Sequence, residues 1–335
     1  IRSNEEEEIN IEGIESSLRL IKKSLEEIGS FPFETFFNFD IHNILFFIIE
    51  NGISSYSVGL SLEIIGYYYC YHPEGVKLIR SSPILPFFMT SFYKPEMKIF
   101  LSPILSGIAG ILRESGIKEP EESTKQLREQ FLSDNLHSQI IELLNENGDD
   151  SPPIFEVAII IKSLIKGEIS LDFFPALISL LPTLNFFLNS EDYKVIRKSI
   201  QSLRHLSIQF PQSNESIKNS GCIENLFQIL YRPHQAKGIF KSSLYLLAVY
   251  CHGRIEVCQE ILNPDFLNLI FTYFQNEKSD TKFIENALRD IRHIIDTDPS
   301  LLVNVSNSQL IDYIIENSKI GENNVCIQCC IILSK

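Results

Sequence analysis

The residues best equipped for chemistry in this sequence are its seven cysteines, seven histidines and scattered carboxylates. "CIQCC" (326–330) sets Cys326, Cys329 and Cys330 at one helix end. A structural zinc site wants four tetrahedral ligands, so a second ligand pair must stand nearby. The comparable cluster, Cys251, His252 and Cys258, lies about 70 residues upstream, an offset that the spacing described below does not bring into register. These thiols read as small apolar core residues. Asp149, Asp150, Asp296 and Asp298 fall in loop-like stretches where solvation accounts for them. No phosphate loop, dinucleotide fingerprint, nucleophile elbow or metalloprotease helix is present. The expectation is a protein that is not an enzyme, with no metal and no cofactor.

Composition narrows the class. With 44% hydrophobic and 21% charged residues the chain is globular. A formal charge of −14 argues against a nucleic-acid binder, which needs a basic footprint. The acidity is lopsided: residues 1–150 hold 12 Lys+Arg against 24 Asp+Glu, whereas 151–335 hold 17 against 19. An odd number of cysteines without a disulfide framework suits a reducing compartment, and the opening "IRSNEEEEIN" has no signal-peptide character. A cytoplasmic or nuclear location is expected. The apolar run 173–188 carries two prolines and an asparagine and is too short for a membrane span.

Chemistry so sparse directs attention to the elements. "HPEGVKLIRSSPILPFF" (72–88) returns as "SNESIKNSGCIENLFQIL" (213–230). The apolar residue that opens the following helix recurs at Ile41, Ile84, Leu136, Leu180, Ile223, Leu267 and Ile311, at intervals of 43 or 44 apart from one of 52. The long interval contains "SGIKEPEESTKQLREQ" (115–130), which reads as a polar insertion. A second set follows 23–25 residues later: Ile65, Ile108, Ile160 or Ile161, Leu203, Leu247 and Ile291. Apolar groups around them recur three residues apart, as on a helix face. Each unit reads as a short, a medium and a longer helix. A helical period near 44 means stacked repeats, because one unit cannot bury its own apolar faces. Seven units are expected after one preceding helix, 14–28, with Leu18, Ile21, Leu25 and Ile28 as its stripe. Residues 1–13 read as an acidic, disordered tail and 14–335 as the solenoid. The seventh repeat reads as truncated, with Ile331 and Ile332 left exposed.

The repeat resembles the armadillo family. Its first two helices match "N-P-E-x-x-x-x-I-x-x-x-G-x-I-P-x-L-x-x-L-L" in "HPEGVKLIRSSPILPFF", "PQSNESIKNSGCIENLFQIL" and, loosely, "DPSLLVNVSNSQLIDYII" (298–315). The resemblance implies an all-α, right-handed α-solenoid of about seven three-helix repeats, its third helices lining a concave groove for extended peptides or partner proteins. In the related nuclear-import adaptor importin alpha, the third helix carries a Trp and an Asn that clamp a basic peptide. The Trp position becomes Glu63, Ser106, Ile159, Gln201, Tyr245 and Arg289 here, and the Asn position becomes Tyr67, Gly110, Ser163, His205, Val249 and His293. Neither residue type survives. A diverged adaptor of that kind is the alternative to a general interaction scaffold.

One helical turn earlier stand Arg197, Lys241 and Glu285. The C-terminal groove would thus present Arg197, Gln201, His205, Lys241, Tyr245, Arg289 and His293, a basic set suited to an acidic or phosphorylated peptide. The N-terminal groove would present Glu63 and Tyr67 beside "YYYCY" (67–71), of which Tyr68 and Tyr71 are expected to fill the space between repeats.

Overall fold

A computed structural model describes residues 10–28, 32–113, 121–145, 153–232, 237–252, 254–276, 280–320 and 323–335. Among them the structure is all helical. The chain packs as two compact units, 1–176 and 177–335.

In unit 1, α1 (Ile11–Ile28) precedes three repeats: α2 (Phe33–Asn38), α3 (Ile41–Asn51) and α4 (Ser55–Tyr67); α5 (Pro73–Arg80), α6 (Ile84–Ser91) and α7 (Leu101–Leu112); α8 (Glu121–Ser133), α9 (Leu136–Asn145) and α10 (Ile154–Ile165). The chain passes from one unit to the other within α11 (Phe174–Ile178), which is followed in unit 2 by α12 (Leu181–Leu188) and α13 (Tyr193–Gln209). Two further repeats are α14 (Ser213–Asn219), α15 (Cys222–Leu230) and α16 (Lys237–Cys251), then α17 (Ile255–Ile261), α18 (Pro264–Asn276) and α19 (Thr281–Thr297). The seventh is α20 (Leu302–Ser306), α21 (Leu310–Ile320) and α22 (Asn323–Leu333). The seven expected repeats and the solitary leading helix are all present.

Each unit is organised around a ladder of four third helices: α1, α4, α7 and α10 in unit 1, and α13, α16, α19 and α22 in unit 2. The second periodic set fills both ladders: Ile65, Ile108, Ile160, Ile161, Leu203, Leu247 and Ile291 are all fully buried. Removing such a side chain from water is worth about 1.5–3 kcal/mol, so these positions hold successive helices together. Among the first set, Ile84, Leu136, Leu180, Ile223 and Leu267 are buried, while Ile41 and Ile311 are half-buried. In the last repeat Leu310, one residue earlier, takes the buried place. Several third helices start on a side-chain cap: Ser54, Asp192 and Asp280 accept from the amides of Ser57, Lys194 and Phe283, satisfying donors that lack an intrahelical partner.

Five expectations need correction. Residues 1–9 lie outside the described residues, but α1 already opens at Ile11, because the Asn10 side chain accepts from the Gly13 amide at 2.9 Å. On α1 Leu18 and Leu25 are buried, whereas Ile28 is exposed. The presumed insertion 115–130, of which 115–120 lie outside the described residues, carries α8, the lengthened first helix of the third repeat. Its inward face is polar for a reason. Arg128 Nε donates to the Leu112 carbonyl (3.2 Å), and Thr124 accepts from Arg80, whose guanidinium also donates to the carbonyls of Ile111 and Arg113. These arginines complete the C-terminal carbonyls of α7 and oppose its dipole. Within the cluster 67–71, Tyr69 is fully buried, while Tyr71 is exposed and Tyr68 half-buried. At the far end Ile332 is buried and Ile331 half-buried; Ile327, Cys330 and Leu333 face solvent.

Pro95–Leu112 is long and apolar enough to cross a bilayer, but Pro103–Leu112 is wholly buried within unit 1. Core packing accounts for that hydrophobicity.

Candidate functional site

The ladder of unit 2 turns long polar side chains outward. Arg197, Gln201 and His205 stand four residues apart along α13 and therefore share one face. Lys241 and Tyr245 do the same on α16, and Arg289 and His293 on α19. Arg197, Lys241, Tyr245 and His293 are exposed; Gln201, His205 and Arg289 are half-buried. A methyl group at Gly238 would stand 3.8 Å from the Arg197 guanidinium, so Arg197 reaches across onto α16.

Two residues that the periodicity argument did not select complete this face. Arg204 lays its guanidinium over the Tyr245 ring at 4.8 Å, and its Nη2 stands 3.3 Å from His205 Nε2. Stacking on a rigid ring holds the guanidinium in place. The signal was available, since the dipeptide Arg-His recurs at 204–205 and 292–293. The second is Asp290 on α19, only 8% exposed. Burial pushes its carboxyl up to about 7, against the pull of Arg289, Lys241 and Arg204. Nothing in a single sequence distinguishes this aspartate from a solvated one.

Not every base on the face is available. Arg289 donates to Glu285 at 2.5 Å, which offsets its charge. His293 is held below its usual pKa by burial and by Arg292, so its ring is mostly neutral at pH 7.4. The net positive character therefore rests on Arg197, Arg204 and Lys241.

Unit 1 is built differently. Glu63 is tied to Lys22 of α1 at 2.7 Å, and this bond raises the Lys22 pKa. The Tyr67 hydroxyl lies 2.8 Å from Ser102 Oγ, which donates to Glu156 at 3.3 Å. One hydrogen-bonded chain thus crosses α4, the first turn of α7 and α10. Burial raises the pKa of both Tyr67 and Glu156, so Glu156 is a shielded acceptor rather than an open charge. On α7 the positions equivalent to Glu63 and Tyr67 are Ser106 and Gly110, both buried. Ser106 donates to the Gly66 carbonyl at 3.1 Å, and a Cβ on Gly110 would lie 2.4 Å from the Cys70 carbonyl oxygen. At these α7 positions of the expected N-terminal groove, small residues bring the backbones together instead of presenting long side chains.

Among the described residues no three His, Cys, Asp or Glu side chains converge on a possible metal position. Cys70, Cys222, Cys251, Cys258 and Cys329 are buried. Burial pushes the Cys222 thiol up to about 11 and the Cys329 thiol up to about 12, which keeps both protonated and poorly nucleophilic.

No protein-family model matches the sequence, and no curated protein matches it. Solved structures do resemble the fold. An engineered protein from a structural-genomics consortium superimposes with a TM-score of 0.66 at 14% identity, over 87% of this chain and 67% of that one. A designed armadillo repeat protein in complex with the peptide (KR)4 gives 0.60 at 15% identity, over 75% and 98% of the two chains. A computationally designed armadillo repeat protein for modular peptide recognition gives 0.55 at 14% identity, over 74% and 95%. The chain has an armadillo-like, all-α solenoid repeat fold.

Proposed function

We propose that this protein is a non-catalytic interaction scaffold, cytoplasmic or nuclear, that binds an extended acidic or phosphorylated peptide across the third-helix ladder of unit 2. The observation that carries this reading is the outward face formed by Arg197, Arg204, Lys241 and Tyr245, in a chain whose formal charge is −14. Guanidinium and ammonium groups on successive helices match the spaced anions of an extended peptide through charge-assisted hydrogen bonds. Exposed pairs contribute only ~0.2–1 kcal/mol each. A ligand that engages three or four of them, with its backbone and an aliphatic stem on Tyr245, is expected to bind with Kd on the order of 10–1000 µM. The designed neighbour that holds (KR)4 makes the polarity a direct question.

Titration with fluorescently labelled (Asp-Glu)4 and (Lys-Arg)4 octapeptides tests it. The acidic probe should bind, weaken as salt rises, and lose at least ten-fold in affinity in the double variant Arg197→Glu/Lys241→Glu. Preference for the basic probe, or an unchanged affinity in that variant, would overturn the reading.

A further inference from the structure

The acidic-ligand face of unit 2 has at its edge a carboxylate that does not fit a plain basic surface. Asp290 on α19 retains 8% of its surface, and among the described residues no hydrogen bond or ion pair reaches it. Three cations act on it: Arg289 from its own helix, Lys241 from α16 and Arg204 from α13. None of them closes onto it. Arg204 is held over Tyr245, and Arg289 is bonded to Glu285. The other helices beside α19 bring little charge. α22 (NNVCIQCCIIL) has no ionic residue, and the carboxylates of α17, Glu256 and Glu260, are exposed, with Glu260 directed at Lys218. The result is a buried acid beside cations that are steered away from it.

An ionised carboxylate in such a place should collect a partner, because an unpaired buried charge is costly. A protonated one needs none. It presents an O–H donor and takes no charge from Arg204 and Lys241; the other carboxylate that Lys241 acts on, Asp280, is already paired with Lys237.

We infer that Asp290, Arg204 and Lys241 form an anion subsite that takes one acidic side chain of the bound peptide together with one proton, shared as an O–H···O⁻ hydrogen bond between Asp290 and the ligand. This rests on the acidic-peptide reading above and gives it a specific address. The raised carboxyl of Asp290 sets where the proton is lost. Once Asp290 ionises, its charge repels the ligand's and offsets the neighbouring cations, so binding falls as pH rises. Protonation of a neighbouring histidine would also favour anions, but burial holds His293 below its ordinary value, and the variant His205→Gln/His293→Gln controls for both rings.

The test is affinity for labelled (Asp-Glu)4 between about pH 7 and about pH 8.5, where the probe's own charge is constant. Wild-type protein should lose close to ten-fold per pH unit, the slope of one linked proton. Asp290→Asn, which keeps a donor and cannot ionise, should bind tightly with no slope, and His205→Gln/His293→Gln should keep the wild-type slope. Calorimetry in two buffers of different ionisation enthalpy should read uptake of about one proton at pH 8 in the wild type and none in Asp290→Asn. A slope that persists in Asp290→Asn, or disappears in the histidine variant, overturns the subsite while leaving the peptide reading intact, provided binding still responds to Arg197→Glu/Lys241→Glu. Failure of the probe to bind wild type and Asp290→Asn at any pH overturns both.

Discussion

A side chain added at Gly66 in unit 1 would meet the Pro103 carbonyl oxygen at 2.1 Å, whereas one added at Gly238 in unit 2 would meet nothing nearer than 3.8 Å. The two ladders share one plan, four third helices in succession, but they use small residues for opposite ends. In unit 1 Gly66 and Gly110 let α4 and α7 and the turn after α4 approach backbone to backbone, and Ser106 fills the contact with a hydrogen bond. Tyr67, Ser102 and Glu156 then link α4, α7 and α10 by hydrogen bonds. In unit 2 Gly238 makes room for a guanidinium, and the helices are held by Leu and Ile below while Arg, Lys and Tyr project above. A repeat array can therefore be rigid in one stretch and presentable in another without a change of architecture, because only outward positions differ.

The largest effect expected from disturbing this contrast is at Gly66. Gly66→Ala forces a methyl into a backbone carbonyl that cannot rotate away, and it should destabilise unit 1 by about 3 kcal/mol or more; a chemical-denaturation midpoint that hardly moves would show the close approach to be dispensable. Next comes the polar cap that ends the central helix of unit 1. Arg80→Met leaves the carbonyls of Ile111 and Arg113 short of donors and should cost about 1.5–3 kcal/mol, with amide exchange at the C-terminal end of α7 rising first.

Unit 2 should respond in the other direction. The folded protein holds the Asp290 proton up to about 7, against an ordinary carboxyl value of 3.8. The folded state thus binds the extra proton, so stability is highest below about pH 4 with respect to this group and is lost as pH rises toward about 7. Asp290→Asn should therefore stabilise the fold at pH 8.5 by on the order of 2 kcal/mol after discounting for solvent contact, read as a higher thermal midpoint, and give almost nothing near pH 4. An equal gain at both pH values would mean that packing, not ionisation, accounts for it. The smallest effect is at Gly238: Gly238→Ala lies in the first turn of α16 in ordinary contact with the Arg197 guanidinium at 3.8 Å and should stabilise by about 0.4–1 kcal/mol. A loss there would mean the ladder of unit 2 is as tight as that of unit 1.

The period of 43 or 44 was legible because each repeat must bury the same face, so Ile108, Leu203, Leu247 and Ile291 announce themselves by recurrence. α8 was not legible. Its inward residues, Thr124 and Arg128, are polar because they serve the end of another helix, and hydrophobic periodicity is blind to that role. The outward register was also readable, since Arg197, Lys241 and Tyr245 follow from the buried anchors by helical geometry alone. Tyr69 was misjudged for its neighbours because five residues in a row leave helical phase ambiguous where α4 ends in a tight turn.

Sequence by itself determined the all-helical class, the number of repeats and the side of α13, α16 and α19 that faces solvent, because these depend on short-range periodicity and on the need to cover apolar surface. Tertiary structure alone decided which of those faces is open. Whether a glycine seals two helices together, an arginine caps a distant carbonyl or an aspartate keeps its proton depends on atoms brought close from other helices. Coulomb, steric and desolvation effects act through space, and one sequence does not list its spatial neighbours.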